Sequence, residues 1–151
     1  REIRIQSFPG HTGGDSIVQI PDAKVVFAGD LLANNVLPSL GGASTGPWIE
    51  SLDAMLAWDS GYAFVPGHGS IGDADDVASF RDYLQTLRAR VVMARTEGRS
   101  GDETVGMVVP VLRERYGRWE FFEDIAKANV LETYAELNGT KTIPRVHSPL
   151  P

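Results

Sequence analysis

Chemistry in this chain has few places to start. There are three histidines, His11, His68 and His147, and no cysteine, so disulfides, thiol nucleophiles and every zinc site built on Cys are excluded. A transition-metal site must therefore draw on His, Asp or Glu. Three short segments share one design, in which an apolar strand ends, a glycine-containing turn follows and a candidate ligand sits in it. They are Pro9-Gly10-His11-Thr12-Gly13-Gly14-Asp15, Phe27-Ala28-Gly29-Asp30 and Val65-Pro66-Gly67-His68-Gly69. Two imidazoles and a carboxylate suit Zn²⁺, and a carboxylate can bridge two such ions. Glycine at these positions lets the backbone approach an ion without a side-chain clash. Taken singly, each segment is more simply a polar turn or a helix cap than a ligand site. Their combination in this order, each after an apolar strand, is what points to metal.

Several neighbours invite a role and also have a plainer reading. Asp15, four residues after His11, could accept from a ligand imidazole and orient it, or close a solvated turn. Asn34 and Asn35 could donate to a substrate carbonyl or carboxylate, or simply form a turn. Trp48 could wall a groove, but as the opening residue of an amphipathic helix it reads as core. His147, among prolines, reads as solvated.

The elements that must position these residues divide the chain in two. Over the first seventy residues the pattern is short strands: Arg1 to Phe8 alternates, Ser16 to Ile20 is apolar, and Lys24 to Ala28 is apolar enough to be buried on both faces. Leu31 to Gly46 lacks a period and reads as a loop over one end of the sheet. Thr45 and Pro47 read as cap and first position of a helix carrying Leu52, Met55 and Leu56 on one face and ending near Ser60-Gly61. Tyr62 to Val65 is a further strand. From Asp75 the period becomes helical, with one long helix to about Glu97 whose N-terminus Asp75 and Asp76 complement, and a second opened by the capping-box pair Ser100 and Glu103. Pro110 should kink or split that second helix before Gly117. A third helix should run from about Trp119 to Asn138, closed by Gly139. The expected organisation is thus a core at 1–72, a helical portion packed on the same domain at 73–139, and an irregular tail at 140–151. The aperiodic loop and the second helix are expected to shape the pocket.

Composition narrows the partners. The 151 residues are 42% apolar, enough for a packed core, and carry 14 basic against 20 acidic side chains, a net charge of −6. No basic run is present to follow a phosphate backbone or an anionic bilayer, and no apolar run is long enough for a membrane span, so neither nucleic acid nor membrane is expected. A soluble protein, cytoplasmic or periplasmic, is the expectation.

The motif set resembles the metallo-β-lactamase superfamily of metal-dependent hydrolases, over about Phe8 to Gly72. The resemblance implies an α/β fold, half of an αββα sandwich with a mixed sheet, flanking helices and a helical C-terminal extension. It also implies that His11 ligates a first metal, Asp30 bridges two, and His68 ligates the second. The cofactor would be two zinc ions, with iron or manganese as alternatives. The activity implied is attack of a metal-activated hydroxide on a small ester, lactone, thioester or lactam. The helices, ending in Asn129-Val130-Leu131-Glu132-Thr133-Tyr134-Ala135-Glu136-Leu137, resemble less specifically the extension of one group of these hydrolases. The family's His-x-His-x-Asp-His motif, which supplies two more ligands to the first metal and an Asp and a His to the second, is missing from this sequence. One terminal histidine per metal plus a shared carboxylate falls short of the three protein ligands of a catalytic zinc site, so weak zinc binding by this chain alone is expected. The expected partner is an N-terminal half carrying that motif, in the same polypeptide or as a separate chain, covering an otherwise exposed apolar sheet face. The chain beginning on a strand, without Met, fits that expectation. Further partners would be a small-molecule substrate and a second copy in a homodimer. The competing expectation is a non-catalytic half-domain serving binding or assembly.

Overall fold

In a computed structural model, the structure describes residues 1–58 and 61–143. His147 and most of the expected tail lie outside the described residues. Four strands form one mixed sheet in the order β1-β2-β3-β4: β1 (Arg4–Ser7), β2 (Ser16–Ile20), β3 (Val25–Ala33) and β4 (Ala63–His68). The first three pair antiparallel and β3 pairs parallel with β4. Among the described residues, four α-helices follow or interleave: α1 (Thr45–Leu56), α2 (Ala74–Thr96), α3 (Gly101–Tyr116) and α4 (Phe122–Leu137).

The alternation of side chains gives the sheet two unlike faces. Ile17, Val26, Ala28 and Phe64 point inward and are buried in one apolar core with Leu52 and Met55 of α1, Phe80, Leu84 and Leu87 of α2, Leu112 of α3 and Val130 of α4. On the opposite face, the register aligns Ile5 with Val18, Val18 with Phe27 and Phe27 with Val65 in one row across all four strands. That row is open, with Ile5 73% and Phe27 45% exposed.

Helix boundaries follow their capping chemistry. Asp73 accepts from the backbone amides of Asp75 and Asp76 while Asp76 reaches back to the Asp73 amide, so the cap of α2 stands two residues before the acidic pair expected to mark it. Ser100 and Glu103 form the expected box for α3, and Gly139, at φ +69°, follows the end of α4.

Four expectations are corrected. Of the two outcomes expected at Pro110, a kink or a split, the split does not occur: α3 runs unbroken from Gly101 to Tyr116. Thr104 and Val108 before the proline, and Leu112 and Tyr116 after it, are all buried, so packing on both sides outweighs the lost hydrogen bond. Thr45 is not the cap of α1 but its first helical residue, and Ser44 at the cap position makes no side-chain bond. The cap comes from α4: the Thr45 amide donates to both Glu136 oxygens at 3.0 and 3.1 Å, and the Thr45 hydroxyl donates to Glu136 Oε2 at 2.7 Å. Arg88 of α2 donates to both groups and closes the cluster. The same helix ends at Leu56, short of the Ser60-Gly61 stop that was expected. Finally, β3 does not end at Ala28 but continues to Ala33, a difference with consequences for the site.

Candidate metal centre

Strand direction explains how ligands distant in sequence come together. β2 runs opposite to both β1 and β3, and β3 runs with β4, so β1, β3 and β4 all point the same way. Their C-terminal ends share one edge of the sheet. His11 lies in the turn leaving β1, Asp30 in the C-terminal half of β3, and His68 is the last residue of β4. All three line a single cavity of about 360 Å³ at that edge. His68 Nε2 stands 3.5 Å from Asp30 Oδ1.

Asp30 is presented by a bulge rather than by a turn after the strand. The pairing of β3 with β4 slips between Phe27 and Gly29 and again between Gly29 and Ala33. Gly29 sits at φ +54°, in the left-handed region that glycine enters without penalty. Gly29 and Asp30 are consequently exposed side by side, after which Leu31, Leu32 and Ala33 are all buried. Gly67 is required for a different reason: a Cβ there would fall on the Asp30 carboxylate and lie 2.9 Å from the Asp30 backbone nitrogen. The end of β4 that carries His68, a strand end and not the expected turn, can therefore close onto Asp30 only with glycine at that position.

His11 rests edge-on against Trp48, with ring centroids 5.4 Å apart. Its Nδ1 is buried without a hydrogen-bond partner, an unsatisfied donor or acceptor of the kind a ligand would occupy. Trp48 is fully buried and donates its indole N–H to the Leu31 carbonyl at 2.9 Å, so the core reading holds, and the residue also backs the candidate ligand. Asp15 accepts from the Thr12 amide at 2.7 Å and the Thr12 hydroxyl at 2.6 Å. Its carboxylate thus shapes the His11 turn instead of meeting the imidazole. Asn34 and Asn35 are likewise engaged internally. Asn34 donates to the Ser70 carbonyl and accepts from the Asn35 side chain, and its backbone amide donates to the His68 carbonyl. Asn35 adopts φ +57°, which matches the turn-forming reading. Neither side chain lines the cavity; Asn34 ties the end of β3 to the segment around His68, and Asn35 braces Asn34.

The loop after β3 shapes the pocket as expected, through Val36, Leu37, Pro38 and Ser39. The helical contribution is a correction: Phe121 and Ile125, at the start of α4, line the cavity, and no residue of the Pro110-containing helix does. Sequence reasoning placed Phe121 inside an ordinary helix start. The available signal was a helix opening on Phe121-Phe122 with no Ser, Thr, Asp or Asn to cap it.

Among the described residues, no three His, Cys, Asp or Glu side chains converge closely enough to hold an ion by themselves. The donors at the cavity are nonetheless of the right kinds, two within 3.5 Å and the third with a free buried nitrogen. They fit part of a metal site.

Residues 8–68, which contain all three donors, match the family model described as the metallo-beta-lactamase superfamily. These residues belong to that superfamily. Members of the metallo-beta-lactamase superfamily bind metal ions. The fold extends the match beyond them. A double mutant of the sec-alkyl sulfatase PisA1 superposes over 91% of this chain and 24% of its own, with a TM-score of 0.73 at 16% identity, a likeness of fold alone. The metallo-beta-lactamase from Pontibacter korlensis matches over 55% of this chain and 42% of its own, at 23% identity and a TM-score of 0.48. TTHA1623 in a di-iron-bound form matches over 52% of this chain and 40% of its own, at 28% identity and a TM-score of 0.46. The chain therefore spans less than half the length of these structures. Among the described residues, no helix is long and apolar enough to cross a membrane.

Proposed function

We propose that this chain is the C-terminal half of a metal-dependent hydrolase and supplies His11, Asp30 and His68 to a dinuclear, zinc-type centre. The observation that carries this reading is the convergence of those three side chains, from three co-directional strands, on one cavity. His11, Asp30 and His68 would hold the ions, His11 and His68 through imidazole nitrogens and Asp30 through its carboxylate. The remaining ligands come from an N-terminal half bearing His-x-His-x-Asp-His, whose sheet packs on the open row Ile5, Val18, Phe27 and Val65. When bound, the ions supply Lewis acidity and a nucleophile derived from water at neutral pH. The residues of this chain hold and space the ions and move no proton themselves. Trp48 and Thr12 with Asp15 fix the His11 turn, while Asn34 and Gly67 fix His68 against Asp30. A cavity of about 360 Å³ on a chain of net charge −6 favours a small, uncharged ester, lactone, thioester or lactam over a polyanion.

The test compares metal content, by plasma mass spectrometry, and hydrolysis of a panel of those four substrate classes, in the protein with its upstream sequence. Asp30→Ala and His68→Ala should each lose metal and activity, and His147→Ala neither. Metal and hydrolysis retained in the first two variants would overturn the assignment. The absence of any upstream or partner sequence with the second motif would favour the binding-module alternative.

A further inference from the structure

The cavity has two chemically distinct sets of lining residues, the candidate ligands His11, Asp30 and His68, and an apolar set that includes Val36, Leu37, Phe121 and Ile125. Phe121 is held there against two local preferences. It sits at φ +62° and ψ +12°, a left-handed conformation that is unfavourable for a bulky side chain, and it occupies the N-cap of α4 without making a cap bond. The residue is 49% exposed, so burial in the core does not account for it.

What holds it is a backbone splice to the site itself. The Glu120 amide donates to the Asn35 carbonyl at 3.0 Å, the Leu37 amide donates to the Glu120 carbonyl at 2.9 Å, and Val36 and Glu120 form a parallel bridge. The segment leading into Phe121 is thereby registered against the loop that follows Asp30. A strained aromatic, locked beside the apolar loop and lining the same cavity as the ligands, is a feature that packing alone does not require.

From this we infer that the cavity selects an aliphatic acyl or alkyl group, laid against Val36, Leu37, Phe121 and Ile125 with the bond to be cleaved toward Asp30 and His68, and that Phe121 determines this specificity. The inference rests on the hydrolase reading for the direction of the substrate, but its apolar half is tested without metal or turnover.

The experiment titrates 1-butanol, 1-hexanol and 1-octanol into the ¹⁵N-labelled protein, with its upstream sequence and stripped of metal by chelation, and follows amide shifts. Shifts should centre on Val36, Leu37, Phe121 and Ile125, with affinity rising by up to about fourfold per added methylene until the cavity is filled. Phe121→Gly should weaken hexanol binding by about tenfold, the loss of one apolar wall contact, without lowering the melting temperature, because glycine accepts that φ. Ile125→Ser provides a second variant on the same wall and should weaken binding in the same direction. Shifts confined to other surfaces, or affinity independent of chain length, would overturn the inference while leaving the metal assays intact. Alkanol binding at the cavity together with undiminished metal in Asp30→Ala and His68→Ala would overturn only the hydrolase reading.

Discussion

Asn129 offers the sharpest test of how the pocket wall is held. It is buried in α4, and its side chain makes three hydrogen bonds that span the molecule. Oδ1 accepts from the Leu40 amide at 3.1 Å, and Nδ2 donates to the Pro38 carbonyl at 2.8 Å and to the Tyr83 hydroxyl at 3.0 Å. Two of these partners are backbone groups of the loop that lines the cavity. Lys141 donates to the Leu40 and Ala43 carbonyls of the same loop but leaves the Leu40 amide and the Pro38 carbonyl to Asn129. Asn129→Ala strands those two groups and removes one partner from Tyr83. Each unsatisfied buried group costs about 1–3 kcal/mol, and water entering the vacated space offsets part of the total, so a loss of about 3–5 kcal/mol is expected. Against a typical stability of about 5–15 kcal/mol this is severe, and at about 2–4 °C per kcal/mol it lowers the melting temperature by roughly 6–20 °C. Urea denaturation followed by circular dichroism should show the midpoint falling at constant slope. Hydrogen exchange at the Leu40 amide should accelerate beyond what the global loss explains. Asn138→Ala is the control: its side chain is exposed and accepts one bond, from Arg95, so its change should stay within about 1 kcal/mol. A change at Asn129 no larger than that of the control would refute the claim that this residue holds the loop.

Two further predictions concern the helices. Glu136→Ala removes the acceptor for the Thr45 amide and hydroxyl and leaves Arg88 without its carboxylate, so α1 should fray from its N-terminus and the protein should lose about 2–4 kcal/mol, measured by calorimetry. The Glu103 carboxylate accepts from the Ser100 amide at 2.8 Å, which, with the Ser100 hydroxyl next, holds its pKa below the ordinary 4.5. Its contribution is therefore full above about pH 4.5 and fades as pH falls through the lower folded-state value, where the unfolded chain has already taken up the proton. Glu103→Gln should flatten that part of the acid stability profile between pH 6 and 3 in urea titrations, and an unchanged slope would contradict the capping assignment.

What the sequence revealed and what it concealed divide along the range of the interactions. The β2 strand, the Ser100–Glu103 box and the Gly139 stop are local and could be read from neighbouring residues. The three candidate ligands could be found because each sits beside its own glycines. The cap of α1 could not, since Thr45 and Glu136 are 91 positions apart and no local pattern links them. The same holds for Asn129, whose partners lie on a loop some ninety residues earlier. Asp30 was placed in a turn because Gly29 normally ends a strand; here β3 continues through a bulge, and three consecutive buried residues anchor it beyond. Phe121 was hidden by its ordinary setting, because a conformation at φ +62° leaves no mark on the residue type that adopts it.

The open sheet face and the short ligand set are geometrically one problem. Phe27 stands three residues before Asp30 on β3, across the bulge at Gly29. A second sheet packed on the row Ile5, Val18, Phe27 and Val65 would lie about 10 Å above it, the ordinary spacing of stacked sheets. Loops leaving such a sheet at the same edge would then be within reach of the Asp30 carboxylate. A partner that covers the row with a helix face, or approaches from the far edge, buries the apolar side chains equally well but brings no ligand to the cavity. The hydrolase and assembly readings therefore differ in one measurable respect. If Phe27→Asp, which breaks the covering interface but touches no ligand, also depletes bound metal, then face and site are completed by the same element. If metal is retained, the sheet face and the ligands serve different partners, and the proposal that one N-terminal half provides both is wrong.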